Sequence, residues 1–209
     1  MSKKRSSKVP TQDSFRGENA ADYTSARWME RIQKASTRRA LDLLVDERIG
    51  GAIDDDDTRD GIVLDAGCGN GFSTEMILER GFKVVVGIDI SPDMLALRHL
   101  PNPVILADMG RLPFRNGTFF VVISISAMNF LSQELDDPTK ARMIYDRFAK
   151  QLNEIMVPGG RGVIEFYPKT PSELEIITKT FGSRAGFQGF LVIDKPGTRK
   201  EQKFLIFRK

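Results

Sequence analysis

The sequence predicts an open α/β fold, with a mostly parallel sheet, helices on both faces and an antiparallel last strand. Three observations carry that expectation. From residue 62 onward, apolar strand-like runs alternate with helix-like segments; such alternation buries its apolar faces as a parallel sheet between helical layers. The first strand runs straight into a glycine-rich turn, Asp65-Ala66-Gly67-Cys68-Gly69-Asn70-Gly71. The last two strand-like runs are separated only by DKPGTRKEQ, which is too short for a helical crossover. The final strand must therefore return as a hairpin.

The elements follow in order. Residues 1–22 lack apolar periodicity and read as a flexible basic segment. Residues 23–209 read as one domain, opened by a helical extension over about 26–49. Its apolar stripe is Ile32, Ala35, Ala40, Leu43 and Leu44, and Gly50-Gly51 ends it. DDDDTRDG (54–61) is a polar linker. A strand and the glycine turn come next, then a helix (71–80) and the strand KVVVGID (83–89). Ser91-Pro92 opens a second helix, serine as N-cap and proline at the first helical position. NPVILAD (102–108) and TFFVVISIS (118–126) are strands three and four. A long helix (138–156) stops at Pro158-Gly159-Gly160, and strand five is RGVIEFY (161–167). A helix (171–181) and the strands 187–194 and 203–208 complete a seven-stranded sheet.

Composition bounds the function. The chain has 209 residues, 41% hydrophobic and 28% charged, which suits one α/β domain with a full core. No apolar run approaches the roughly 20 residues that span a bilayer, and the basic, polar start is not a signal peptide. Cys68 and His99 are the only residues of their kinds. They allow neither an internal disulfide nor a zinc site, and a reducing cytoplasmic setting is expected. No metal is expected either. Residues 1–39 hold ten Lys or Arg against four acidic residues, although the whole chain is only +3. Arg27, Arg31, Lys34 and Arg38 share one helix face. That face is either simply solvated or tracks the phosphates of a polyanion.

The glycine turn narrows the ligand. A dinucleotide fingerprint, G-x-G-x-x-G, would place its third glycine at Phe72; here the glycines fall at 67, 69 and 71. D-x-G-x-G-x-G after an apolar strand points to S-adenosylmethionine. The five β-α units with a terminal hairpin are the layout of class I (Rossmann-like) methyltransferases. Ligands of open α/β sheets bind at the carboxyl ends of the strands, so the expected cofactor residues lie there. Asp65, Gly67, Cys68, Gly69 and Asn70 form the turn. Asp89 accepts the ribose hydroxyls, Asp108 faces the adenine amino group, and Ile90 and Met109 pack on the ring. Ser124 borders the methyl group. Cys68, between two glycines, reads as a packing residue and not a nucleophile. His99 is remote from the strand ends.

The end of strand four, ISISAMNFL (123–131), contains no Asp, Glu, His, Lys, Arg, Cys or Tyr. Adenine amino-group enzymes, ribose 2′-O enzymes and phenol enzymes each need a motif, base or metal missing from this stretch. Guanine N7 needs none, because it carries a free lone pair on the major-groove edge. Catalysis of its methylation reduces to placement, without the general-base help usually worth about 10²–10⁴-fold. Ser126, Asn129 and Tyr167 are the expected residues at the acceptor, Phe130 and Tyr167 candidates for stacking the base, and Tyr23 a closure from the N-terminal side.

The stretches YTSARWMERIQKASTRRALDLL, LDAGCGNGFST, DMGRLPFRNGTFFVVISISAMNFL, MVPGGRGVIEFYPK and AGFQGFLVIDKP resemble the small-subunit rRNA guanine-N7 methyltransferases, the bud-site-selection/Williams-Beuren-region family. The resemblance runs from about Tyr23 to the C-terminus. It implies an exposed guanine of small-subunit rRNA as substrate and a role in ribosome biogenesis on the pre-ribosome. It also implies a small zinc-binding activator protein as partner, for which the apolar edge strand 103–107 is the expected contact. Eukaryotic members continue into a Lys/Arg-rich tail; this sequence ends at Arg208-Lys209 and reads as an archaeal or minimal member. Two other readings share the cofactor motifs: a quinone-type small-molecule methyltransferase, and an assembly factor whose binding matters more than its methylation.

Overall fold

The computed structural model describes residues 15–49, 60–132 and 137–209. Among them, seven strands form one sheet: β1 (Ile62–Ala66), β2 (Val84–Asp89), β3 (Val104–Leu106), β4 (Phe119–Ile125), β5 (Met156–Phe166), β6 (Gln188–Asp194) and β7 (Gln202–Arg208). Their order is β3-β2-β1-β4-β5-β7-β6. Strands β1 to β5 pair in parallel, while β7 runs antiparallel between β5 and β6. The expected class I architecture with its antiparallel last strand is therefore what the chain adopts. The linker 54–61 lies almost wholly outside the described residues, as do residues 1–14 of the basic N-terminal segment.

Helices cover both faces. They are α1 (Gly17–Ser25), α2 (Arg27–Leu44), α3 (Phe72–Glu79), α4 (Pro92–Ala96), α5 (Pro138–Ile155) and α6 (Pro171–Lys179). One core gathers Tyr145, Phe148 and Leu152 of α5 with Phe181, Phe187 and Phe207. The other packs Leu41 and Leu44 of α2 and Ile77 of α3 against Val63, Val121 and Val163. Because β1 and β4 are buried on both faces, they read as apolar runs without alternation. Three helices start as their residues dictate. Ser91, Asp137 and Thr170 are N-caps whose side chains accept from a backbone N–H of the first turn, each followed by proline. None of the helices among the described residues is long and apolar enough to cross a membrane.

The structure departs from the sequence reading in four places. Residues 17–25, mostly assigned to a flexible segment, form α1. Its composition carries little apolar signal, but it is docked: Gly17 N donates to Asp93 Oδ2 at 2.9 Å and Ser91 Oγ donates to Phe15 O at 2.6 Å. Pro158-Gly159-Gly160 does not separate helix from strand. It lies within β5, where the β4–β5 register shifts between Phe119 and Val121, a glycine-tolerant irregularity. β3 is only three residues long, between Pro103 and the loop that carries Asp108. Helix α6 passes into a wider π turn over Thr180–Arg184.

Candidate active site

The carboxyl ends of β1, β2, β3, β4 and β5 surround a cavity of about 680 Å³, closed on one side by α1 and α2. That volume lies in the range of small-molecule sites. Its floor is the glycine turn. Gly67 has φ +81°, and a Cβ there would lie 2.2 Å from Ala127 Cβ. Only glycine fits this left-handed position against the loop after β4. Gly67 N and Cys68 N both donate to Ile88 O, at 2.8 and 2.9 Å. The turn is thereby fixed to β2.

Asp89 ends β2 with its two carboxylate oxygens divided. Oδ2 accepts from Gly69 N and Oδ1 from Ser91 N, both at 2.8 Å. Each oxygen keeps a lone pair for a further donor. Burial pushes the Asp89 carboxyl above its ordinary range, against the opposing effect of the backbone N–H groups of Ser91, Gly69 and Ile90. Asp108 is exposed at the cavity wall and accepts from Gly110 N at 2.7 Å. Ile90, 52% exposed, and Met109 line the same wall. Asn70 also lines it and donates to Thr24 Oγ1 at 3.1 Å, tying the turn to α1. Cys68 reaches the cavity but is buried, and burial pushes its thiol up. It is not an activated nucleophile. His99 is exposed, lies beyond the end of α4 and is not on the cavity wall.

Two expected cofactor residues do not reach the cavity. Asp65 is fully buried beneath the turn, where its Oδ2 accepts from Ser73 Oγ at 2.7 Å and Thr74 Oγ1 at 2.6 Å. It anchors the start of α3 and contacts no cavity space. Ser124 is likewise fully buried, and its Oγ donates to Ala66 O at 2.8 Å, joining β4 to β1. Both side chains hold the framework under the site together, and neither residue is on the cavity wall. The turn also has a support that the sequence reading missed. The Arg98 guanidinium donates to Gly69 O, Thr74 Oγ1 and Asn102 Oδ1 at 3.1, 3.1 and 2.7 Å.

At the acceptor end, Ser126, Asn129 and Tyr167 all line the cavity. Ser126 adopts φ 56°, a left-handed conformation uncommon for serine. It is held there by Glu165, whose backbone O accepts from Ser126 N at 3.2 Å and whose Oε2 accepts from Ser126 Oγ at 2.6 Å. The uncharged strand end thus has a carboxylate beside it, delivered by the next strand: Ile125 of β4 pairs in register with Glu165 of β5. Glu165 is fully buried and off the cavity wall. Asn129 donates through Nδ2 to Tyr167 O and accepts through Oδ1 from Tyr167 N at 2.8 Å. Its amide clamps the loops after β4 and β5, so less of it is free for a base than expected. Burial, reinforced by Glu165, raises the Tyr167 phenol well above its ordinary value. Tyr23 is pushed up to about 12, mainly by burial. Neither phenol is a base at neutral pH.

An aromatic row crosses the cavity mouth. Phe130 meets Phe15 edge-on at 5.2 Å, Phe15 meets Tyr23 at 5.2 Å, and Tyr23 stacks near Phe72 at 6.5 Å. Tyr23 therefore closes the cavity from the N-terminal side, together with Phe15, which the sequence reading did not single out. The cations on the cavity wall are Arg16, Arg111, Arg147 and Lys169. The predicted stripe on α2 faces away from it. Of that stripe, Lys34 is engaged by Glu30 and Glu75 at 2.9 and 2.7 Å, while Arg27, Arg31 and Arg38 are exposed.

Comparison with known proteins agrees with this geometry. A family described as "Methyltransferase domain" matches residues 64–164. The N-methyltransferase NodS from Bradyrhizobium japonicum superposes with a TM-score of 0.59 at 16% identity, over 88% of this chain and 98% of its own. The [4+2]-cyclase SpnF superposes with a TM-score of 0.61 at 12% identity, over 87% and 81%. At such identities the likeness is one of fold, and the fold hosts more than one chemistry. The methyltransferase match identifies the cofactor as S-adenosylmethionine. The glycine cradle at Gly67, the spare lone pairs of Asp89 and the cavity's size all fit it. The 18S rRNA (guanine-N(7))-methyltransferase bud23 of Schizosaccharomyces pombe is 34% identical over 203 residues, 95% of this chain and 71% of that protein. The 18S rRNA (guanine-N(7))-methyltransferase of Bos taurus is 40% identical, over 90% of this chain and 64% of that protein. The 18S rRNA (guanine(1575)-N(7))-methyltransferase of Saccharomyces cerevisiae is 35% identical, over 91% and 66%. The chain thus spans about two thirds of the length of these relatives. A match of this extent to the first of them, on a site built for the cofactor, makes the chain a member of the 18S rRNA (guanine-N(7))-methyltransferase family.

Proposed function

We infer that this chain transfers a methyl group from S-adenosylmethionine to N7 of a guanine in small-subunit rRNA, as part of ribosome biogenesis. One observation carries the reading beyond family membership. The acceptor end of the cavity presents the hydroxyls of Ser126 and Tyr167 and no free base, and its nearest carboxylate, Glu165, is occupied by donors. When bound, the cofactor supplies an electrophilic methyl on a sulfonium. Guanine N7 attacks with its own lone pair, so no proton has to leave the acceptor. What remains for the protein is orientation.

The residues divide that work. Gly67, Cys68, Gly69 and Asn70 bring backbone close to the cofactor, Asp89 accepts its ribose hydroxyls and Asp108 its adenine amino group. Ile90 and Met109 cover the adenine faces. Ser126, Asn129 and Tyr167 border the acceptor, and Phe130 stacks the base. Tyr23 and Phe15 exclude water from above. Arg111 and Arg147 at the wall attract the flanking phosphates, which makes binding salt-dependent.

The small zinc-binding activator belongs to the same reading. Its contact is the edge strand β3, whose Val104, Ile105 and Leu106 are 38%, 38% and 59% exposed, an apolar edge that favours pairing with another chain. The setting is cytoplasmic, which the single buried Cys68 supports. The test uses undermethylated small subunits and cofactor labelled on its methyl, with digestion of the rRNA to nucleosides. Label in 7-methylguanosine is expected. Label confined to any other nucleoside, or to a small molecule, rejects the reading.

A further inference from the structure

Glu165 is a fully buried carboxylate that takes no direct part in the site described above. Four side-chain donors converge on it. Oε1 accepts from Ser36 Oγ of α2 at 2.8 Å, from Gln202 Nε2 of β7 at 2.7 Å and from Tyr167 Oη at 2.8 Å. Oε2 accepts from Ser126 Oγ at 2.6 Å. A carboxylate can only accept. The single protons of Ser126 and Tyr167, two residues of the cavity wall, both meet Glu165, and Ser126 and Gln202 also lie against the Tyr167 phenol. What each hydroxyl has left for a ligand is lone pairs.

We propose that Glu165 is a positioning residue for base recognition: it fixes Ser126 and Tyr167 as hydrogen-bond acceptors, so the site selects a base edge that carries N–H donors. This rests on the guanine reading and deepens it. Guanine carries such an edge, N1–H beside the N2 amino group, on the side of the base away from N7. A base that presents N7 to the methyl group can therefore offer these donors to the other wall. Adenine has a bare nitrogen at N1 and no amino group at C2. Facing two locked acceptors, it leaves lone pair against lone pair. A site whose polar groups are fixed in this way rejects a ligand with the wrong pattern more strongly than an adaptable hydroxyl would. Ser126 holds a left-handed φ of 56°, and the bond to Glu165 is part of what keeps it in that conformation.

Glu165→Gln gives a directional test. The amide oxygen is drawn to the Oε1 position, where three donors converge, so the amide NH₂ faces Ser126. Ser126 must then accept, and its proton turns outward as a donor. Tyr167→Phe is the second variant; it deletes the other acceptor and leaves Glu165 with three donors. The substrate is an rRNA fragment with guanosine or inosine, which lacks the N2 amino group, at the methylated position. Wild type is expected to prefer guanosine by roughly tenfold in kcat/KM, the scale of one hydrogen bond. In at least one of the two variants that preference falls to near unity, through a raised KM with kcat largely kept. Calorimetry with S-adenosylhomocysteine and thermal melting should show an intact cofactor site. If both variants keep the wild-type guanosine-to-inosine ratio, the positioning role is wrong while the guanine reading stands. If wild type methylates no guanosine at N7, the guanine reading fails and takes this inference with it.

Discussion

Asp89→Ala removes the group to which we assign the cofactor's ribose. In the folded protein its two oxygens each accept one backbone N–H at 2.8 Å, and the residue lines the cavity. Two hydroxyl donors on an ionised acceptor contribute about 1.5–3 kcal/mol each. Losing both weakens binding by at least about 3 kcal/mol, or roughly 100-fold, since 1.4 kcal/mol is tenfold. The substitution also strips Gly69 N of its partner, so the turn loosens and the loss grows. Asp89→Asn is milder: its oxygen serves one backbone N–H while its amide opposes the other. Isothermal calorimetry with S-adenosylhomocysteine reads the affinity, and a denaturation curve separates it from stability. Affinity in Asp89→Ala within about twofold of wild type would refute the assignment, because that difference lies below the energy of one hydrogen bond.

The same residue predicts a pH dependence whose sign is fixed. Ribose hydroxyls donate to the ionised carboxylate, so affinity is full above the Asp89 pKa and falls as pH drops through it. Burial raises that pKa above its ordinary value of 3.8. The decline therefore begins at a higher pH than an exposed aspartate would give. Calorimetry across the mildly acidic range should show it in wild type and not in Asp89→Ala. An identical acid profile for both proteins would contradict it.

Other expectations follow from single residues. Gly67→Ala places a Cβ at 2.2 Å from Ala127 in a left-handed conformation; it should cost about 1–3 kcal/mol of stability and abolish cofactor binding, as read by denaturation and calorimetry. Phe148→Ala empties a fully buried site under α5, and should lower stability by about 3–5 kcal/mol in urea unfolding. Arg111→Ala with Arg147→Ala should weaken RNA binding at low salt and reduce the slope of log affinity against log salt by about 0.7 for each phosphate that is no longer neutralised. An unchanged slope in filter-binding titrations would exclude those two arginines from the RNA path.

Much of this site is legible in the sequence because its signals are local. The glycine turn, Asp89 and Asp108 each sit at the end of an apolar run, and the parallel order of β3, β2, β1 and β4 brings those ends together. Asp65 and Ser124 share the same strand-end position yet point away from the cavity. Residues alternate faces along a strand, and a one-residue difference in where the strand stops decides which face a side chain joins. Glu165 was invisible for a different reason. Its partners Ser36, Ser126 and Gln202 are separated from it by 129, 39 and 37 residues, and only the β4–β5 register brings Ser126 to it. One sign was present: a lone acid in the apolar strand RGVIEFY, which a buried strand tolerates only if it is paired. Phe15, Arg98, Arg111 and Arg147 belong with it. Phe15, Arg98 and Arg111 lie in segments with no periodicity of their own, and Arg147, on the amphipathic helix α5, is brought to the cavity by packing that the helical period does not reveal. The basic stripe on α2 has the helical spacing read from the sequence; Glu30 and Glu75 engage its Lys34, and the face turns away from the cavity.

In the proposed function a guanine accepts the methyl group at N7 and the cavity over the strand ends performs the transfer. Mapping of 7-methylguanosine across small-subunit rRNA tests both parts together, in cells carrying the wild-type gene, no gene, or only the Asp89→Ala form. One guanine should be methylated in the first and unmodified in the other two. The same 7-methylguanosine pattern in all three would contradict it.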